Sequence, residues 1–221
     1  MKKIEKTLLL LMPFLVLLVF IISADFYRGR DKSARDTSIK VDKASPGLEK
    51  PQKTSNGQNN IPSDLEYIRN VTFGTGGGHD LKLDFMRSKP TTPEARPVVV
   101  WIHGGGWLAD SKDSNVDKLI YLAQRGFFAA SIQYRLSGEA VFPAQIEDCK
   151  CAIRFLRANA KRYHIDPDRI GVWGSSAGGH LAALLGTSGD VAGFEGNGGW
   201  QEFSSRIQAV CDWFGPTDFL K

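Results

Sequence analysis

An α/β domain with a mostly parallel sheet and helices on both faces is predicted by three observations in this sequence. Short β-branched runs such as PVVVWI, residues 97–102, have the unbroken apolar character of strands buried on both faces. These runs alternate with amphipathic segments of helical spacing, the pattern that joins parallel strands by helical crossovers. The third observation is the stretch Ile170–Leu185, IGVWGSSAGGHLAALL. It starts as an apolar strand, breaks at Gly174, and resumes after Gly178 and Gly179 as an Ala/Leu-rich helix.

The chain opens with Lys2, Lys3 and Lys6, followed by the apolar run Leu8–Ile22, which is interrupted by Pro13. The run is shorter than the roughly 20 residues that span a bilayer comfortably, and Ile22-Ser23-Ala24 offers a small-residue cleavage site. Residues 1–24 are therefore expected to be a signal peptide or, if uncleaved, a signal anchor. The domain would then be secreted, periplasmic or extracellular, or anchored outside a membrane. Residues 25–62 are rich in Lys, Ser, Asp, Gly, Pro and Asn without apolar periodicity, the composition of a disordered polar linker. The globular domain is assigned to residues 63–221. Of 28 Lys/Arg and 24 Asp/Glu, 11 and 6 precede residue 63, which leaves the domain near neutral at 17 against 18. Such a balance gives nucleic-acid binding no support.

Within the domain, Leu65–Phe73 and Asp80–Met86 alternate partially around the glycine-rich Gly74–His79, which predicts an antiparallel hairpin with a flexible loop. Pro97–Ile102 reads as a central strand, Val116–Gln124 as a helix stopping at Gly126, and Phe127–Tyr134 as a strand. Pro143–Tyr163 reads as one long amphipathic helix, and Ile207–Phe214 as a strand after the elbow. Cys149 and Cys151 are two apart on the long helix, where their side chains diverge; together with Cys211 they are read as free thiols. No histidine lies at metal-ligand spacing from them, and no metal or cofactor is expected.

Gly174-Ser175-Ser176-Ala177-Gly178 fits the G-x-S-x-G pattern, in which flanking glycines leave room for a sharp turn that holds the central serine at its tip. Ser176 is thus the candidate nucleophile. Acyl transfer also needs donors aimed at the developing oxyanion. His103-Gly104-Gly105-Gly106-Trp107 directly follows a buried strand, and glycines without side chains can bring backbone N–H groups close to a ligand.

These two motifs, with Tyr134-Arg135-Leu136, Phe142-Pro143-Ala144-Gln145, Asp166-Pro167-Asp168-Arg169-Ile170 and the following Gly179-His180, resemble the α/β-hydrolase esterases. The resemblance is to the group related to hormone-sensitive lipase and to exported acetylxylan and feruloyl esterases, and it runs from about Leu65 to the last residue. It implies an oxyanion hole from the N–H groups of Gly105, Gly106 and Ala177, with His103 ordering the glycine run. It places Tyr134, Arg135 and Gln145 in the interior scaffold. Trp107 is read either as a wall of the substrate pocket or as an ordinary packed aromatic.

In α/β-hydrolases the catalytic order is Ser, then Asp or Glu, then His. After Ser176 the sequence offers His180, one helical turn on with no acid between, and it is read as a satisfied helix histidine. His164 is read as a helix C-terminal cap and Asp218 as a turn residue or N-cap. The acid and base are then expected beyond Lys221, the C-terminal strands are expected to be missing, and the chain as given is expected to be a poor catalyst. The function expected from the resemblance is an exported serine hydrolase that cleaves carboxylic esters through an acyl-enzyme on Ser176. Small-molecule or polysaccharide esters, the latter carrying acetyl or feruloyl groups, would be the substrates. A prolyl-oligopeptidase-like peptidase shares the elbow but lacks the His103 glycine run. A catalytically silent binding module would need neither Ser176 nor that run. Contact with a membrane is expected only through an uncleaved N-terminal segment.

Overall fold

The computed structural model describes residues 61–89, 94–189 and 191–219. The leader or anchor assigned to residues 1–24 and nearly all of the linker, residues 25–60, lie outside the described residues. In chain order the elements are β1 (Leu65–Gly76), β2 (His79–Ser88), β3 (Arg96–Ile102), α1 (Val116–Ala123), β4 (Phe128–Ile132), α2 (Ala144–Ala158), α3 (Ala160–Tyr163), β5 (Ile165–Ser175), α4 (Ala177–Thr187), a 3-10 turn at Ala192–Phe194, and β6 (Ala209–Trp213). Among the described residues six strands form one sheet in the order β1-β2-β4-β3-β5-β6. β2 is antiparallel to both β1 and β4, whereas β4, β3, β5 and β6 are parallel. This is an α/β-hydrolase sheet with an N-terminal hairpin.

Period-two alternation divides β3 between two faces. Val98, Val100 and Ile102 join Phe128, Ala130, Ile132, Ile170 and Val172 in the core cluster, where Ile146 and Ile153 of α2 and Leu181 and Leu185 of α4 meet them. Trp101 points the other way. There the α1 Lys118 ammonium lies 4.5 Å from its ring centroid, and Trp173 packs edge-on at 5.1 Å. Helices therefore cover both faces, as the alternation of segments predicts.

The hairpin is tighter than the expected flexible loop. Pairing continues through the glycines to Gly76↔His79, leaving Gly77 and Gly78 as a two-residue turn at φ 59° and 82°. Two positive φ values give the turn a twist that matches the flanking strands. Gly76 stays within the strand because a Cβ there would stand 2.7 Å from the Arg135 Nε. The expected long helix is also divided. Asn159 leaves helical geometry at φ −100° and ψ 16°, while its N–H still donates to the Phe155 carbonyl at 3.0 Å and its Nδ2 adds a second bond there at 2.9 Å. His164 adopts φ 55° and ψ 48° as the left-handed C-cap of α3. Cys149, Cys151 and Cys211 are free thiols, the first two buried.

Two buried charge clusters pin connecting segments to this frame. Lys150, fully buried on α2, donates to Glu195 Oε1 at 2.7 Å and to the Ser188 carbonyl at 2.6 Å. Arg154 binds the same carboxylate and the Gly199 carbonyl, so Ser188, Glu195 and Gly199 are held against α2. On the hairpin side, the fully buried Asp84 pairs with Lys112 at 2.8 Å and accepts from the Tyr67 hydroxyl at 2.8 Å and the Asn70 N–H at 2.7 Å. Removing Asp84 leaves the Tyr67 hydroxyl and the Asn70 N–H without their acceptor and the buried Lys112 with only the more exposed Asp113. Asp84→Ala in the full-length protein is expected to cost about 3–5 kcal/mol of stability by urea denaturation; a loss below about 1 kcal/mol would contradict this role.

Candidate active site

β3, β4 and β5 run parallel and end at Ile102, Ile132 and Ser175. The segments that follow them share the C-terminal edge of the sheet, where open α/β folds place their sites. At the end of β5 the chain turns sharply into α4, with Ser176 at φ 55° and ψ −122°. A non-glycine residue with positive φ is strained unless its surroundings fix it. The surroundings here are bonded on both sides: the Ser176 N–H donates to the Trp213 carbonyl at 2.8 Å, and its carbonyl accepts the His180 N–H at 3.0 Å. Side chains on the flanking glycines would not fit. A Cβ on Gly174 would overlap the Gly178 carbonyl, and one on Gly178 would stand 2.5 Å from the His103 oxygen.

The glycine run approaches this turn directly. A Cβ on Gly104 would be 2.9 Å from the Ser175 carbonyl oxygen and 3.4 Å from the Ser176 Cβ. Gly105 and Gly106 have φ 88° and 62° and are exposed. Their N–H groups donate to no acceptor among the described residues. The Gly105 carbonyl instead accepts both the Leu108 and Ala109 N–H groups at 3.1 Å, which closes the run into a tight loop. Ala177 is the first residue of α4, where N–H groups lack an intrahelical partner.

His103 lies beneath the run. It is 1% exposed, stacks on Tyr134 at 4.3 Å, and its Nδ1 is 3.0 Å from the Gly104 carbonyl oxygen. The Tyr134 hydroxyl donates to the His103 and Gly104 carbonyls at 3.1 and 3.0 Å. Arg135 and Gln145 brace the next segment: Arg135 Nη2 meets Asp148 at 2.7 Å, and Gln145 Nε2 donates to the Arg135 and Ala140 carbonyls at 3.0 and 2.8 Å. Burial pushes the His103 imidazole below its ordinary value of 6.5, against the opposing Gly104 bond and Asp110 charge.

Trp107 follows at φ 60°, half-buried. Its ring meets His180 edge-on at 5.4 Å and Phe219 at 5.8 Å, and His180 and Phe219 are 5.4 Å apart. This three-ring cluster was not legible in the sequence; the signal was the spacing that puts His180 one turn after Ser176 and facing the glycine run. The expectation that His180 is satisfied needs correction, since its Nδ1 is buried without a hydrogen-bond partner among the described residues. Helix packing against the rings leaves that nitrogen no acceptor or donor, and burial lowers the imidazole pKa despite the Asp212 charge. Among the described residues no histidine ring is hydrogen-bonded to a carboxylate, and no cluster of His, Cys, Asp and Glu could hold a metal ion.

A strained serine between a parallel strand and a helix, faced by a glycine loop from the neighbouring strand, defines the α/β-hydrolase class. The chain belongs to the BD-FAE family, whose model matches residues 83–221. It is 33% identical over 150 residues to the esterase LipQ of Mycobacterium tuberculosis, an alignment that covers 67% of this chain and 35% of LipQ. The chain thus spans about a third of that relative's length. Among solved structures it is similar to a truncated form of a carbohydrate esterase from gut microbiota, at 34% identity and TM-score 0.59, covering 69% of this chain and 57% of that one. It is also similar to Thermogutta terrifontis esterase 2 phosphonylated by cyclosarin, at 29% identity and TM-score 0.58, with 67% and 55% covered.

The buried neutral His103 carries a pH consequence. Because its folded pKa is depressed, the unfolded chain binds more protons just below 6.5. The stability contribution is complete above that value and is lost as pH falls through and below it. In the full-length protein the melting temperature is expected to fall between pH 7.5 and pH 5, and His103→Gln is expected to flatten the slope. An unchanged slope in the variant would assign the pH dependence elsewhere.

Proposed function

We propose that this chain carries the nucleophile and oxyanion half of a serine carboxylic-ester hydrolase site. The observation that carries the reading is the strained Ser176 beside the unengaged N–H groups of Gly105 and Gly106. In this mechanism the Ser176 hydroxyl attacks the ester carbonyl, and the negative charge that develops on the carbonyl oxygen is met by the Gly105, Gly106 and Ala177 N–H groups. Collapse of the intermediate expels the alcohol and leaves an acyl-enzyme, which water then hydrolyses. Neither His103, held beneath the glycine run, nor His180, held in the ring cluster, is hydrogen-bonded to a carboxylate among the described residues, and neither is assigned as the base. Trp107 forms a wall of the substrate pocket.

The names of the esterase relatives support the ester-hydrolase reading, and the carbohydrate-esterase neighbour supports an ester carried on a carbohydrate, with acetyl or feruloyl as the acyl groups we propose. Export of the domain to the secreted, periplasmic or extracellular space, with residues 1–24 as signal peptide or anchor, fits such a substrate.

In the full-length protein, Ser176→Ala is expected to abolish covalent labelling by an organophosphonate and hydrolysis of p-nitrophenyl acetate, while Ser175→Ala retains both. Labelling that survives in Ser176→Ala would move the nucleophile elsewhere. Gly105→Ala places a Cβ against the Ala109 carbonyl at a φ that side chains rarely adopt. It is expected to lower kcat by about a hundred-fold or more, the loss typical of a misplaced oxyanion donor. Gly138→Ala, which meets nothing within 4 Å, should be unaffected.

A further inference from the structure

A cavity of about 240 Å³ opens between the hairpin turn and the segment that follows β4. Gln133, Arg135 and Glu139 line one side, and His79 and Asp80 of β2 line the other. The Gln133 N–H donates to the Lys82 carbonyl at 3.0 Å directly after β4 ends, so the cavity lies on the same edge of the sheet as Ser176. Its wall is joined to the glycine run, because the Ser137 N–H donates to the Trp107 carbonyl at 2.7 Å. β4 and β5 are two strand positions apart. The β2 side of the cavity is three positions from β5, so at about 4.8 Å per position the cavity is roughly 10–15 Å to the side of the nucleophile.

The lining is polar, preorganised and only partly engaged. Arg135 is fixed through Nε and Nη2 by Asp148 at 2.9 and 2.7 Å, yet its Nη1 has no partner among the described residues. Glu139 spends Oε2 on the Leu136 N–H at 2.6 Å and keeps Oε1 open. The Gln133 side-chain amide, which offers both donor and acceptor, makes no hydrogen bond to a described residue. Because Asp148 and Glu147 already neutralise Arg135, the cavity has no spare positive charge to draw a phosphate or carboxylate. Asp80 and Glu139 add carboxylate acceptors beside the Arg135 and Gln133 donors, and donors and acceptors side by side match the hydroxyls of a neutral sugar.

We infer that this cavity is a subsite for the hydroxyl groups of the carbohydrate portion of an ester whose carbonyl lies at Ser176. The inference rests on the reading of Ser176 as an ester-hydrolase nucleophile. The cavity binds the alcohol side of the substrate at a distance from the reacting carbon, so it governs which glycan esters are accepted and leaves simple aryl esters untouched.

The test uses the full-length protein in a Ser176→Ala background, titrated with xylotetraose by isothermal calorimetry, alone and with Gln133→Leu or Glu139→Gln. Xylotetraose is expected to bind, and Gln133→Leu is expected to raise its Kd about tenfold, the effect of losing one or two hydrogen bonds. With Ser176 intact, Gln133→Leu should lower kcat/KM for acetylated xylotetraose by a similar factor and leave p-nitrophenyl acetate turnover unchanged. Absence of xylotetraose binding, unchanged affinity in both variants, or an equal loss on the two esters would each overturn the subsite. If neither ester is turned over while xylotetraose binding still depends on Gln133, the ester-hydrolase reading fails and the cavity stands as a glycan site.

Discussion

The site depends on one close approach of backbone to backbone. The turn after β5 presses against the end of β3 so tightly that a Cβ on Gly178 would overlap the Ile102 carbonyl, and a Cβ on Gly104 would intrude on the Ser175 carbonyl at 2.9 Å. Gly179 faces the same limit from β6, where the Trp213 carbonyl oxygen would lie 2.9 Å from its Cβ. Two glycines in the first turn of α4 cost helix stability of about 1 kcal/mol each. They are tolerated because the packing permits nothing larger. The same approach brings the nucleophile and its oxyanion donors together: Ser176 is held in its strained conformation by β6, and Gly104–Gly106 are delivered to it by β3.

Around that contact the fold keeps the glycine run in place from below and from the side. Tyr134 bridges the His103 and Gly104 carbonyls, and the neutral His103 ring stacks on it. Further along, Asp84 holds Lys112, and the Ser131 hydroxyl holds the Lys112 carbonyl at 2.8 Å, so the segment leaving the run is tied to β2 and β4. Each tie uses a buried polar group that has a hydrogen-bond partner, which is what offsets the cost of burying it. A loop that supplies oxyanion donors must hold its geometry while its N–H groups stay open, and this anchoring provides the rigidity that its own sequence of glycines lacks.

The succession of elements along the chain, the mostly parallel sheet and the Ser176 turn were legible because they rest on local pattern: β-branched runs, a glycine break and an Ala/Leu helix. The Gly74–Gly76 segment was misread because glycine usually signals a loop, whereas here it marks strand positions crossed by Arg135 and by the Gly198 carbonyl. The break at Asn159 was invisible because apolar periodicity continues through it and the change is confined to one residue's backbone angles. Lys150 and Arg154 lie in the segment that reads as one amphipathic helix. Their burial depends on Glu195, more than 40 residues later, and such distant charge pairing has no local signature. The His180, Trp107 and Phe219 rings likewise meet from three separate segments.

The account turns on whether Ser176 and the glycine run act on the same reacting group. A crystal structure of the full-length protein after reaction with an organophosphonate measures this directly. The account predicts phosphorus bonded to the Ser176 Oγ, with the phosphonyl oxygen about 2.7–3.1 Å from the backbone nitrogens of Gly105 or Gly106 and of Ala177. An adduct on another residue, or a phosphonyl oxygen turned away from the glycine run, would contradict it.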